Sequence, residues 1–504
     1  MTMKKLLIRI GIVAVLLVGM NWAYSKWFYE NDLQAHSDMV NLPRQVVADS
    51  CRIVYLGESS NRTYGWAESD QRKISDMVWA YFPNIRCGDM TKDASHAEIY
   101  YNMLKLIPKE STVETVVVTM NLRSFDAGWI YSNLETPMQK QLVLLRDYPP
   151  LVNRFLLAFK AYPIRSEAEW DQIVNKHWKK DPIELLYDFE WTTAHQWDSA
   201  MANHGWIDPQ GQWDEEMTIL ACHYIKAYAF QIRDDNPRVK DFDKIVELCQ
   251  ERGWNLVFNL LAENVDKANE LVGKDLVFLM KMNRDYLVKR YGSLEHVTVV
   301  DNLNLVRDVN FIDQNWTTEH YYAEGRQLIA YQVAQALKLI YLADYQEITP
   351  PRQPTQLTQI QQHTVDLDEG HFYLGEPISI DASQPYSYTL DLPSANLRED
   401  WEKMNVAFMV YQNEPANKAV LAVQWYDSVG NSDARYYPIQ DMITSVGQLD
   451  FATFALPVDS ALRKSQHFKV FVYNPSETSI QVKGLDISFR PAYMKPGVKG
   501  ESER

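Results

Sequence analysis

The chain has 504 residues, 46% of them hydrophobic and 23% charged, with 66 acidic against 50 basic side chains. That length and composition fit about two to four folded domains and exclude wholesale disorder. A net charge of −16 would repel a polyanion held by phosphate neutralisation, so nucleic acid is excluded as a partner.

The first residues set the expected compartment. In "KKLLIRIGIVAVLLVGMNWAY" two lysines and Arg9 precede the apolar stretch Ile10 to Tyr24. Starting at Leu6 lengthens it to about 19 residues, enough to span a bilayer with Arg9 snorkelling to the headgroups. A cleaved signal peptide is the rival, but no A-x-A-like site follows, and Trp22, Tyr24 and Trp27 occupy that zone as an interfacial belt would. Residues 1–28 are therefore expected to anchor the chain in a membrane, with the remainder outside the cytoplasm.

From residue 50 onward, short apolar runs alternate with helical patterns. The strand candidates are "RIVYLG" (52–57), "NIRCG" (84–88), "ETVVVTMN" (114–121), "WNLVFNLLAEN" (254–264) and "HVTVVDN" (296–302). Helical candidates intervene at "AEIYYNMLKLI" (97–107) and "FDKIVELCQERG" (242–253), the second ending on a glycine C-cap. This alternation predicts an α/β domain over 29–347 built on a doubly wound parallel sheet. A tryptophan-rich, mainly helical insertion of about residues 125–240 interrupts it. Such an insertion is either a lid or substrate wall on the sheet's carboxyl edge or a small core of its own.

Composition then shifts to Pro, Gln and Thr, giving an expected linker over 348–362. Beyond it the hydrophobic period becomes two, in runs such as "NVAFMVY" and "FKVFVYN" divided by turn residues. An antiparallel β-sandwich of jelly-roll type is expected over 363–492, followed by a disordered tail over 493–504. The stretch "DLDEG" (366–370) misses calcium-loop spacing and reads as a turn.

Four scattered cysteines, Cys51, Cys87, Cys222 and Cys249, support neither a disulfide scaffold nor a thiolate metal site. Cys51 is expected to open the first strand and Cys87 to close the second, at opposite ends of a parallel sheet. Nucleotide, P-loop and zinc-protease motifs do not occur, so no metal and no cofactor is expected.

The chemistry gathers where strands end. "IVYLGESS" stops the first strand on Gly57, Glu58, Ser59 and Ser60. In α/β sheets ligands sit beyond the carboxyl ends of strands, although serine there is also a common helix N-cap. "NFIDQNWTTEHYYAEGR" follows the last strand and brings His320 to the same edge, making a serine and base pair the sharper hypothesis. Gly88 is expected to end the second strand and Asn121 the third, where a backbone N–H and an amide N–H could donate to an oxyanion.

The set "GESS", "CGD", "TMN" and "TEHYYAEGR", in that chain order, resembles the four blocks of the SGNH/GDSL hydrolase superfamily. The likeness spans residues 50–345 in outline, and the anchored topology resembles envelope members such as the teichoic-acid D-alanylation protein DltD and the alginate O-acetylation proteins. It implies a flavodoxin-like SGNH hydrolase fold with Ser59 as nucleophile, His320 as general base, and Gly88, Asn121 and the Ser59 N–H as oxyanion donors. Three departures stand out: Glu58 replaces the usual Asp, with Ser60 as a second candidate nucleophile; Thr-Met-Asn-Leu replaces Gly-x-Asn-Asp; and Thr317 stands where the family places the acid. Asp313 or Glu319 is then expected to orient His320, unless the main chain does so and leaves a dyad.

Together these readings give an envelope-anchored serine esterase or O-acyltransferase acting on acyl esters, acetyl foremost, of a cell-surface glycan. The expected partners are a carbohydrate or acylated envelope polymer, the membrane through the N-terminal helix, and a membrane-bound acyl-transfer protein. The alternative is a non-catalytic glycan-binding or assembly protein on a degenerate form of the same fold.

Overall fold

The structure is a computed structural model that describes residues 3–132, 135–162, 164–185, 187–208, 211–348, 360–362, 371–414 and 418–491. Most of the expected linker, the "DLDEG" turn and the expected tail lie outside these residues.

An α/β architecture is observed, as the alternation of strands and helices requires. Five parallel strands, β1 (Ile53–Gly57), β2 (Cys87–Thr91), β3 (Thr115–Met120), β4 (Asn255–Leu260) and β5 (Val297–Asp301), lie in the order β2-β1-β3-β4-β5. The order reverses next to β1, and the crevice outside the carboxyl ends at such a switch point is where open α/β sheets bind ligands. β1 and β3 are buried along their whole length. Their alternating side chains feed two cores: Val54, Leu56, Val116 and Val118 on one face, Ile53, Tyr55 and Val117 on the other. Helix Ala323–Lys338 closes the second face with Ile329, Val333 and Leu337.

Two expectations about β2 are corrected. β2 begins at Cys87 rather than ending near it, and Ile53 pairs with Cys87, so Cys51 and Cys87 lie at the same end of the sheet. Gly88 pairs with Val54 and therefore lies near the amino end of β2, far from the carboxyl edge. A Cβ at Gly88 would come within 2.8 Å of Val46 Cγ2 and 2.9 Å of Cys51 Sγ, so packing explains the glycine there. β2 is an edge strand with only Met90 fully buried, and such a strand shows no continuous apolar run by which to place it.

The segment between β3 and β4 is mainly helical and carries one short hairpin, Trp206–Ile207 with Trp213–Asp214. Its Trp197 is buried in the main core, and Trp178, Trp191 and Trp206 pack against that core.

The C-terminal part holds two five-stranded, mostly antiparallel sheets, as the change of period predicts. One centres on Lys403–Gln412 between Leu449–Pro457 and Ile480–Arg490; the other centres on Val420–Tyr426 and His467–Tyr473. These sheets dock on the α/β part through buried charge. The Arg490 guanidinium reaches Glu270 and Asp308, Lys281 Nζ lies 2.9 Å from Asp450, and Thr453 Oγ1 donates to Asp266 at 2.7 Å. Burial works to raise the Asp308 carboxyl, but Arg490 and Lys267 overturn it and hold it at about 2.

Candidate active site

β1 stops on glycine because the chain turns too tightly for a side chain. A Cβ at Gly57 would lie 2.9 Å from Asn61 Cβ and 3.0 Å from both Thr91 Oγ1 and a Tyr55 ring carbon. Glu58 follows in an extended conformation, and Ser59 opens a short helix, Ser59–Arg62. The N-cap position belongs to Glu58, not to Ser59. The Ser59 hydroxyl instead meets His320, with Oγ 3.0 Å from Nε2. Ser60, the second candidate nucleophile, is buried, and its hydroxyl meets no hydrogen-bond partner among the described residues.

His320 reaches the serine from a folded-back loop. The Ile312 N–H donates to the His320 carbonyl at 2.9 Å, and Phe311 and Tyr321 form an antiparallel bridge. This fold-back sets Asp313 beside the imidazole, with Oδ2 2.7 Å from His320 Nδ1. The Thr318 hydroxyl donates to the same carboxylate oxygen. Burial works to raise Asp313, yet hydrogen bonds from His320 and Thr318 hold it below the usual carboxylate value. Asp313, His320 and Ser59 thus form a continuous hydrogen-bonded relay in the geometry of a serine-hydrolase triad.

Glu319, the other candidate acid, faces away from the imidazole. Arg123 clamps it with Nε to Oε1 at 2.9 Å and Nη2 to Oε2 at 2.7 Å. Asn121 lies at the end of β3 as expected, but its amide nitrogen is 2.7 Å from Glu58 Oε1 and 2.8 Å from Glu319 Oε2. Both amide hydrogens therefore go to carboxylates, and Asn121 is no oxyanion donor in this arrangement. With Gly88 at the far end of β2, the Ser59 N–H is the one expected donor left beside the serine.

A buried carboxylate cluster backs the relay. Glu58, Glu263 and Glu319 converge near Arg123 and Asn121, and Tyr228 donates to Glu263 at 2.7 Å. Burial, reinforced by Glu319, pushes Glu58 up to about 7, and the same two causes raise Glu263 well above its ordinary value. Glu58 and Glu263 therefore give up their protons at higher pH than ordinary carboxyls do. A second clamp joins the segments that carry Ser59 and His320: Glu68 accepts from the N–H groups of Gly65 and Ala323 and from Arg326 at 3.1 Å. Sequence reasoning missed Glu68, Arg123 and Arg326, because their spacing carries no signal and each looks like a surface charge.

Aromatic side chains stand exposed on the loops that follow Ser59 and precede His320. Trp66 is 80% exposed and Trp316 48% exposed. A Cβ at Gly65 would strike the Tyr322 ring at 2.7 Å, so the loop after Ser59 presses against the residue two places beyond His320. The His223 ring centroid lies 4.0 Å from that of Trp316. A cavity of about 370 Å³, lined by Arg62, Thr91, Lys92 and Asp93, opens beside the helix that carries Ser59. Among the described residues no cluster of His, Cys, Asp or Glu suits a metal ion.

No protein family and no curated relative matches this sequence. Among solved structures, a two-domain esterase active on acetylated mannans shares 8% identity over 90% of this chain and 95% of its own, at a TM-score of 0.24. A candidate platelet-activating factor from Streptococcus pneumonia shares 9% identity over 62% of this chain and 99% of its own, at a TM-score of 0.27. A xylan-binding domain from Paenibacillus barcinonensis shares 11% identity over 24% of this chain and 87% of its own, at a TM-score of 0.17. Likenesses this slight fix neither activity nor ligand.

Proposed function

We propose that the protein is a membrane-anchored serine esterase or O-acyltransferase that acts on acyl esters of a cell-surface glycan. The observation that carries this is the unbroken relay from Asp313 Oδ2 to His320 Nδ1 at 2.7 Å and from His320 Nε2 to Ser59 Oγ at 3.0 Å. In the proposed reaction His320 takes the Ser59 proton as Oγ attacks the ester carbonyl, and Asp313 steadies the imidazolium. The tetrahedral oxyanion rests against the Ser59 N–H. Collapse expels the alcohol, which regains a proton from His320, and leaves an acyl-serine. Water or a sugar hydroxyl, deprotonated by His320, then takes the acyl group. The identity of that second acceptor separates esterase from transferase.

The glycan reading is supported by exposed Trp66 and Trp316 beside the relay, since flat aromatic faces suit the apolar faces of sugar rings. The anchor reading is supported by helix Lys5–Trp27, which is long and apolar enough to cross a membrane and has no buried residue in its most apolar window. We read 29–347 as the catalytic unit and the C-terminal sheets as a docked carbohydrate-binding or spacing unit.

A second reading has its own observation. The Asn121 amide is spent on two carboxylates and Gly88 is remote, which suits a non-catalytic glycan-binding or assembly protein on the same fold. A fluorophosphonate probe decides between them. Covalent labelling that disappears in Ser59→Ala, together with loss of chromogenic acetyl-ester turnover, supports the enzyme. A folded, soluble wild type that never labels supports the binding protein.

A further inference from the structure

Helix Pro150–Ala158 is apolar on its outer side as well as its inner one. Asn153 and Leu157 are buried, and Leu157 packs with Leu33, Val143 and Leu144. The opposite stripe, Val152, Phe155 and Phe159, is 41%, 41% and 80% exposed, at the spacing of one helix face. Tyr148 and Ile164 flank it, 57% and 55% exposed. Surface helices of soluble proteins place such a stripe inward, so this one faces something other than water.

The neighbouring element says what covers it. Helix Pro150–Ala158 packs on the N-terminal helix Met3–Trp27, whose apolar side chains are themselves exposed. Asn21, a polar residue within that apolar helix, accepts the Leu151 N–H at 3.0 Å. Within a bilayer every backbone N–H needs an internal partner, and this contact supplies one for the first turn of helix Pro150–Ala158. Asn21 lies six residues before Trp27, about 9 Å along the axis, which sets the junction just below the aromatic belt of Trp22 and Trp27. Arg154 Nε pairs with Asp32 at 2.7 Å, which ties helix Pro150–Ala158 to the helix Tyr29–His36 that follows the N-terminal one. Arg146 and Lys160 lie within two residues of Tyr148 and Phe159 in the chain, as contact with lipid phosphates favours, and exposed Asp147 stands between Arg146 and Tyr148.

We propose that helix Pro150–Ala158 lies in the plane of the bilayer that the N-terminal helix spans, so that the catalytic unit rests on the lipid surface through a second contact. This rests on the membrane part of the function proposed above and not on its chemistry. The occupant of the apolar stripe is lipid, in the leaflet at the Trp27 end of the span. A protein held this way keeps its serine at a fixed height above the membrane.

The test uses the full chain in vesicles of phosphatidylcholine and phosphatidylglycerol. Phe159→Cys, Val15→Cys and Val429→Cys are each labelled with an environment-sensitive dye, and depth is read from quenching by spin-labelled lipids. The unsubstituted chain serves as the labelling blank. The dye at 159 is expected about 5–10 Å into the headgroup and acyl boundary. The dye at 15 should lie deep and the dye at 429, on a sandwich turn, in water. Quenching at 15 without quenching at 159 overturns the proposal while leaving the anchor standing. An absence of quenching at both positions overturns the anchor and the proposal together. A blue-shifted but unquenched dye at 159 means that protein covers the stripe, which also overturns it. The pattern should be unchanged in Ser59→Ala, so failure of the catalytic reading is detected separately.

Discussion

Glu58 and Glu319 immediately precede Ser59 and His320, and both accept hydrogen bonds from the single amide nitrogen of Asn121, at 2.7 and 2.8 Å. Asn121 thus fastens together the two chain segments that carry Ser59 and His320, behind the atoms that would react. Asn121 is well placed to position the pair rather than to touch substrate.

Removing that fastening should therefore loosen the relay. Asn121→Ala takes the amide donor from buried Glu58, at a cost of about 1–3 kcal/mol for lost hydrogen bonding, while Arg123 still holds Glu319. Thermal unfolding should show the lower stability, and kcat should fall with little change in KM. A full loss of kcat with unchanged stability would instead mark a direct oxyanion role.

Glu58 carries a pH signature. Its folded-state value of about 7 lies above the ordinary 4.5, so the folded protein binds the proton more tightly than the unfolded chain does. The sign follows: this group's contribution is fully favourable below pH 4.5 and fades as pH rises through about 7. Glu58→Gln, which keeps an acceptor for Asn121 and cannot ionise, should raise stability at pH 8 by about 1–3 kcal/mol and leave it almost unchanged at pH 4. Denaturant midpoints at the two pH values read the difference.

Asp313 is the acid of the relay by position, and Asp313→Asn tests it. Substituting the amide preserves shape but favours the wrong imidazole tautomer, and the expected loss in kcat is about 10⁴-fold. Glu319→Gln should cost far less, since Glu319 faces Arg123 and not the imidazole. Equal losses in the two variants, measured on a chromogenic acetyl ester, would remove Asp313 from its role.

The docking of the C-terminal sheets depends on Lys281, which is fully buried and donates to the carbonyls of Met442 and Phe451 while pairing with Asp450. Lys281→Met strands the Asp450 charge in the interface at about 3–5 kcal/mol. Proteolysis should then release the C-terminal part faster than in the wild type. Adding Asp450→Asn, which removes the charge and keeps an acceptor for the Thr444, Ser445 and Phe451 N–H groups, should recover much of the loss.

Asp308 gives the same interface an acid limit. Held at about 2 against an ordinary 3.8, its carboxylate contributes stability above pH 3.8 that is lost as pH falls through about 2. Unfolding followed from pH 5 to pH 2 should show the C-terminal sheets separating in that window. Arg490→Met should move the separation to higher pH.

What the amino-acid sequence determined by itself was local and periodic. Apolar runs announced β1, β3 and β4 because buried parallel strands need side chains on both faces, the valines of β5 marked that edge strand, and the change to period two announced the antiparallel sheets. Ser59 and His320 were legible because each follows a strand end or opens a helix. β2 was misplaced because an edge strand with polar side chains has no such run, and Gly88 went with it. Only the tertiary structure decided between Asp313 and Glu319, because the fold-back of residues 311–321 sets which carboxylate meets the imidazole. The carboxylate cluster around Asn121 and the buried charges at Lys281 and Arg490 were equally hidden. A charged residue reads as surface from sequence, and its burial depends on partners brought from distant parts of the chain by packing that no local pattern encodes.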